Sequence, residues 1–245
     1  MLQEIASQVY WFHPPYGGEA YLMRTGEGLV MVDAGPPGFI APLQQAMREA
    51  GLDPAELRLA FATHLHCDHV GELGWWQRAY GFPVIAHALD AEAIESGDPV
   101  KTAAEMPYAA LHTTFIPCPV AQRVAGGETL TLGERDFAII HMPGHTPGSI
   151  FIQSGEELFT GDVLFENGGV GWIDIHWGSN PEDYLETLQA MRPYIGRRVY
   201  PGHGAPYTLT AEQIDTACAT VEFYFPYAHG YGCPRPARIE RGKLP

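Results

Sequence analysis

A chain of 245 residues that is 46% apolar and 18% charged can bury a core of its own, which excludes a disordered segment that folds only on a partner. Its 14 Lys and Arg against 29 Asp and Glu give a formal charge of −15, which repels a phosphate backbone and argues against nucleic acid as a ligand. Cys67, Cys118, Cys218 and Cys233 have no CxxC spacing and read as reduced thiols; with no basic start before an apolar stretch and no apolar run near about 18 residues, the expectation is a cytoplasmic chain without leader or membrane span.

Strands come first. Segments 8–12, 20–25 and 29–33 are separated by His-Pro-Pro-Tyr-Gly-Gly and Gly-Glu-Gly, which predicts an antiparallel meander. From 39 to 50, Ile40, Leu43, Ala46, Met47 and Ala50 recur every three or four positions and Gly51 follows, so a helix is expected. A buried strand over 57–63 leads into a histidine-rich loop; a helix over 68–80, a strand over 83–86 and a helix over 88–96 continue the alternation. Residues 98–118 carry no readable period. Strands over 128–132, 137–142, 149–154 and 157–160, each bounded by Gly or Pro, repeat the meander character. A helix over 181–191 behind an Asn180 cap, a strand over 198–200, a helix over 211–223 and a basic, Pro-containing tail over 234–245 complete the chain. With no low-complexity linker or repeat, the expectation is a single α/β domain, 1–245, of two β-sheets sandwiched between helices.

The segment Thr63-His64-Leu65-His66-Cys67-Asp68-His69 concentrates the chemistry. Residues two apart on an extended strand end point the same way, so His64 and His66 can share one metal; Asp68 and His69, where the chain turns into a helix, can address a second. Cys67 alternates away from them and reads as packing, as do Trp75 and Trp76 on the following helix. Three more side chains stand at strand ends in stiff Gly/Pro settings: His145 in Pro-Gly-His-Thr-Pro-Gly, Asp162 in Thr-Gly-Asp and His203 in Pro-Gly-His-Gly. Taken singly, each histidine reads as a hydrogen-bonded structural group and Asp162 as a cap; together, five His and two Asp suffice for two metals with open positions.

These residues, with Asp33 in Val-Asp-Ala-Gly, resemble the metallo-β-lactamase-fold hydrolases from roughly Asp33 to His203. The resemblance implies an αββα sandwich with two divalent ions, zinc first, with iron or manganese also suited to the ligands. It implies one metal on His64, His66 and His145, the other on Asp68, His69 and His203, Asp162 bridging, and Asp33 holding the histidine loop by hydrogen bonds. Lactamases of this fold typically carry Cys or Ser where this chain has Asp162, which argues against lactam hydrolysis. The full set looks like the glyoxalase II, lactonase and phosphodiesterase branches, although only 42 residues follow His203, too few for glyoxalase II's helical region.

The function expected is hydrolysis of a small ester, lactone or thioester by a hydroxide shared between the metals, with Asp68 orienting it and passing a proton to the leaving group. The alternatives are a mononuclear iron persulfide dioxygenase or a phosphodiesterase of the same fold. Residues 165–180, with Trp172, Ile173, His176 and Trp177, read as a lid over an apolar pocket; Trp11, His13 and Tyr16 are candidates for the opposite wall. His176 is the candidate additional acid or oxyanion donor. The expected partner is a small-molecule substrate, with no nucleic acid and no membrane; self-association is left open.

Overall fold

Two β-sheets face each other in the computed structural model, which describes residues 2–105, 115–173, 175 and 178–226. The first sheet runs in chain order through β1 (Leu2–Ala6), β2 (Val9–Phe12), β3 (Ala20–Thr25), β4 (Gly28–Val32), β5 (Leu57–Phe61), β6 (Val84–His87) and β7 (Gln122–Val124). It is antiparallel up to β4 and parallel from β4 to β7. The second contains β8 (Thr129–Leu132), β9 (Arg135–His141), β10 (Ile150–Ser154), β11 (Glu157–Gly161), β12 (Arg198–Pro201) and β13 (Tyr207–Thr208), in the order β13-β12-β11-β10-β9-β8. Only its β11–β12 pairing is parallel.

The central strands of each sheet are apolar on both faces because both faces are covered there. In β4, Val30 and Val32 point between the sheets, where they meet Phe61, Phe137, Ile150, Phe159 and Tyr200. Leu29 and Met31 point the other way, into a core shared with α1 (Ile40–Glu49) and α3 (Leu73–Tyr80) through Leu43, Met47 and Trp76, and with α4 (Ala88–Ser96) through Ile94. In β10 the same alternation sends Ile150 and Ile152 inward and Phe151 outward, against Tyr184 and Leu188 of α5 (Pro181–Ala190) and Ile214 and Val221 of α6 (Ala211–Tyr224). The layers are therefore helix, sheet, sheet, helix, as expected.

Strand direction decides where the chemistry goes. The parallel neighbours β4 and β5 end at one edge of the first sheet, β11 and β12 at one edge of the second, and β9 runs with β11 because β10 opposes both. The loops after β4, β5, β9, β11 and β12 carry Asp33, the histidine segment, His145, Asp162 and His203.

The helix expected over 68–80 is two: α2 (Cys67–Val70) and α3, broken at Gly71–Glu72. A Cβ at Gly71 would meet Pro37 Cγ at 2.7 Å, and Glu72 turns its buried carboxylate onto the Gly38 N–H, just ahead of α1, whose own N-cap Phe39 offers no side-chain cap. Strands β1 and β7 and the two-residue β13 were not legible from pattern, being short, edge-located or largely exposed. Of the unread segment 98–118, residues 106–114 lie outside the described residues, as does the tail 234–245; Thr102 O accepts from Cys67 N–H at 2.8 Å. No helix among the described residues is long and apolar enough to cross a membrane.

Burial pushes the Glu72 carboxyl up from 4.5 to about 7, against the pull of the Gly38, Phe39 and Ile40 N–H groups. The folded state therefore holds a proton that the unfolded chain has lost, so stability falls as pH rises from about 4.5 through about 7. The expected loss is on the order of 2 kcal/mol after allowance for solvent screening. Glu72→Gln should flatten the denaturation midpoint against pH across this window and raise it on the alkaline side; parallel curves for both proteins would exclude this origin.

Candidate metal centre

The centre is built outward from Asp33. Its φ of +54° is uncommon for a residue with a side chain, and the short polar carboxylate uses that bend to reach the next strand end. Oδ1 accepts from Thr63 N–H at 2.8 Å, and Oδ2 from Thr63 Oγ1 at 2.7 Å and His69 Nδ1 at 3.1 Å. Asp33 thus clamps both ends of the histidine segment.

Counting protons fixes the imidazoles. Thr63 gives its one hydroxyl hydrogen to Asp33, so in the 2.9 Å contact with His64 Nδ1 the ring donates, and Nε2 keeps its lone pair. His145 Nδ1 faces Trp172 O at 2.7 Å; a carbonyl only accepts, so His145 Nε2 is also a lone pair. Both Nε2 atoms, and Asp162 Oδ1, are buried without a hydrogen-bond partner. Three orphaned electron-pair donors aimed into one place are costly unless a cation meets them, and that is the fit of this site to a metal.

The donors form two groups. Ligand atoms of His64, His66 and His145 lie within 4.8 Å of one another, and so do those of Asp68, His69 and His203. Asp162 faces both: its Oδ1 is 3.3 Å from His69 Nε2, and its Oδ2 is 3.2 Å from His203 Nε2 and 3.7 Å from His145 Nε2. Asp68 Oδ2 is 3.2 Å from His203 Nε2 and 3.7 Å from His69 Nε2. A third set of donors, Asp33, His64 and His69, is equally close, but Asp33 already accepts from Thr63 and His69.

Electrostatics divides the groups the same way. Burial lowers His64 and His145 and brings His66 down to about 3, so this trio is neutral and offers lone pairs. In the other group burial opposes charge but loses. Asp162 and the neighbouring carboxylates hold His69 well above its usual value and His203 up at about 10, while burial of Asp68 is outweighed by His69 and His203, which hold it down at about 2. Asp162 is held far below the carboxylate range by His203 and His69 despite its burial. Two carboxylates converging on two imidazoles demand positive charge, whether protons or a metal ion supply it.

Two glycines let the backbone come this close. A Cβ at Gly202 would lie 2.0 Å from Asp162 Oδ1, and one at Gly171 would lie 2.8 Å from His145 Nδ1. Above the donors opens a cavity of about 620 Å³, floored by His66 and Asp68 and walled by Tyr16, Phe165, Val170 and Trp172.

The structure thus brings together all seven residues singled out in the sequence. Of the pocket candidates, Tyr16 and Trp172 border the cavity, whereas Trp11 and His13 turn to Glu19, at 2.8 and 2.9 Å. His176 and Trp177 lie outside the described residues. Cys67 is buried in the core as expected and also borders the cavity; Trp76 is fully buried and Trp75 packs against the same core. Sequence reasoning missed Thr63, Glu19 and Asp90. Only Thr63, beside His64, carried a local signal.

A family model described as the metallo-beta-lactamase superfamily matches residues 13–203. The acyl-coenzyme A thioesterase MBLAC2 of Gallus gallus is 29% identical over 227 residues, covering 81% of this chain and 78% of that protein. The probable metallo-hydrolase YqgX of Bacillus subtilis is 27% identical over 214 residues, covering 83% and 94%. Among solved structures, TTHA1623 in a di-iron-bound form superposes with a TM-score of 0.63 at 33% identity, over 80% of this chain and 92% of that one. The subclass B3 metallo-beta-lactamase BJP-1 of Bradyrhizobium japonicum superposes at 0.69 over 92% of each chain, and at 20% identity that likeness concerns the fold alone.

Proposed function

Because the chain belongs to the metallo-β-lactamase superfamily and is a metal-dependent hydrolase of that fold, we propose that it hydrolyses thioesters of apolar acyl groups at a dinuclear centre. The observation that carries this reading is the apolar cavity over the two donor groups: Tyr16, Phe165, Val170 and Trp172 wall it, and no Lys or Arg lines it among the described residues. Such a wall suits a neutral acyl chain and offers nothing to a substrate carboxylate or phosphate. The thioesterase name of the relatives at about 28% identity supports the choice of thioester over ester or lactone.

His64, His66 and His145 would hold one ion, Asp68, His69 and His203 the other, with Asp162 between them. When bound, such ions lower the pKa of water and polarise a carbonyl oxygen. Asp33 and Thr63 keep His64 and His69 in the tautomers that present Nε2. Asp68, partly open to the cavity, orients the attacking water by accepting its hydrogen bond and then holds the proton at its carboxylate until the leaving thiolate takes it. Phe165 lies edge-on to His203, with ring centroids 5.8 Å apart, and keeps bulk water from that side. Tyr16 and Trp172, 39% and 45% exposed, line the cavity and offer their rings to the acyl chain.

A series of straight-chain acyl-coenzyme A thioesters tests this. At about 0.8 kcal/mol per buried CH₂, kcat/KM should climb roughly threefold to fourfold per methylene until the cavity is filled. Trp172→Ala should flatten that climb, raising KM for long chains by about tenfold with kcat little changed. Elemental analysis should find two metal ions per chain and names the metal. A lactone or phosphodiester turned over in preference to every thioester would overturn the substrate assignment, and a single iron per chain would overturn the dinuclear one.

A further inference from the structure

Two buried carboxylates outside the chemistry described above fasten the two halves of the centre separately. Asp90, in the first turn of α4, is 1% exposed. Its Oδ2 accepts from Thr146 Oγ1 at 2.7 Å and its Oδ1 from Gly148 N–H at 2.8 Å; the Leu65 N–H donates to it as well. Leu65 separates His64 from His66, and Thr146 follows His145. One carboxylate therefore ties together the two loops, one from each sheet, that supply the three-histidine group. The approach is close: a Cβ at Gly148 would lie 2.5 Å from Asp90 Cγ. Burial pushes the Asp90 carboxyl up to about 7, against the pull of these three donors and of the N-terminal turn of α4.

The other half hangs on different bonds. Glu19, 2% exposed, accepts from Gly204 N–H at 3.0 Å, and its own N–H donates to Gly202 O at 2.7 Å, so it brackets His203. The Tyr21 hydroxyl donates to Pro201 O at 2.7 Å. The backbone of Asp68 and His69 is held by the N–H groups of Gly18 and Ala34, at 3.2 and 2.8 Å.

We propose that Asp90 is a positioning residue for one half of the centre: it sets the metal affinity of the His64, His66 and His145 group and leaves that of the Asp68, His69 and His203 group alone. This rests on the metal-centre reading given above. Asp90→Asn keeps the size of the side chain but leaves one oxygen for two backbone donors: its NH₂ can turn to Thr146 Oγ1, which accepts, and the Gly148 and Leu65 N–H groups must then share the remaining oxygen, so the hold on one of the two loops is loosened.

Cobalt(II) titration of the metal-free protein, followed by visible absorption, tests it on wild type, Asp90→Asn, His203→Ala and the double variant. Wild type should take up two equivalents. Asp90→Asn should keep one of them at wild-type affinity and weaken the other by about 10- to 100-fold. His203→Ala should retain the three-histidine equivalent, and the double variant should lose it by the same factor. Two unchanged equivalents in Asp90→Asn overturn the proposal, and so does equal weakening of both, which is what general loosening would give. No cobalt uptake by wild type would instead bring down the metal-centre reading, a result not to be confused with the other two. Should Asp90→Asn not fold, Thr146→Val removes one bond of the set, and a several-fold weakening confined to the same equivalent is expected; no weakening overturns the proposal.

Discussion

Asp68→Asn is expected to lower kcat by about 10²- to 10⁴-fold while the chain stays folded and keeps metal on the three-histidine group. Asp68 stands where the two requirements of proton transfer meet. It borders the cavity, and its Oδ2 lies 3.2 Å from His203 Nε2, so the carboxylate is placed both to accept a hydrogen bond from the attacking water and to hold its proton. The amide of Asn has the same shape and can still hold a water, but it takes up no proton. Loss of turnover should therefore appear in kcat, with KM for the acyl thioester little changed, because the walls that bind the acyl chain are untouched. Steady-state kinetics and metal content measured on one preparation make the check. Full turnover in this variant would remove Asp68 from the proton path.

Gly202→Ala should be nearly as damaging, for a steric reason. The backbone at Gly202 passes so near Asp162 that a methyl group would lie 2.0 Å from Oδ1, 2.8 Å from His69 Cε1 and 2.9 Å from the Gly161 carbonyl carbon. The nearest of these atoms belongs to a buried carboxylate, and the third is backbone, so nothing flexible can move aside. Asp162, which faces donors of both groups, would be displaced by an ångström or more, a shift that costs on the order of 100-fold in rate when it occurs among catalytic groups. Metal stoichiometry below two and a fall in kcat/KM of at least that size are expected. Wild-type values would mean that the Gly202 loop can retreat without cost.

Local patterns gave the sandwich its elements because both sheets are covered on both faces. Strand β4 is a continuous apolar run, β5 is interrupted only at Arg58 and β10 starts as Ile-Phe-Ile, and α1 and α5 carry their stripes at helical spacing. The helix expected across 68–80 breaks at Gly71–Glu72, where the Cys67 carbonyl and Pro37 both crowd the glycine and Glu72 is drawn to the start of α1. No property of residues 68–80 announces the contact with Pro37 or with the start of α1.

The seven donor residues were legible because four stand close together in one segment after β5 and the other three each follow a strand in a Gly- or Pro-stiffened loop, local arrangements that sequence order preserves. The residues that hold them were not. Asp90 stands in a helix, in Ala-Leu-Asp-Ala-Glu, and looks like any solvated acid; Glu19 follows two glycines with no partner in view. Their roles depend on contacts across 56 residues, from Asp90 to Thr146, and across 185, from Glu19 to Gly204. By itself the sequence determined which side chains can bind metal and which strand ends present them, since spacing and turn chemistry are properties of neighbours along the chain. Spacing already set His64 and His66 apart from Asp68 and His69, and the family resemblance implied how the other three divide; the tertiary structure alone decided the distances between the two groups, which carboxylates fasten each of them, and which aromatic side chains wall the cavity above them. Those distances are set by how two sheets pack and by which strands run parallel, and loops remote in sequence meet only when that packing is complete.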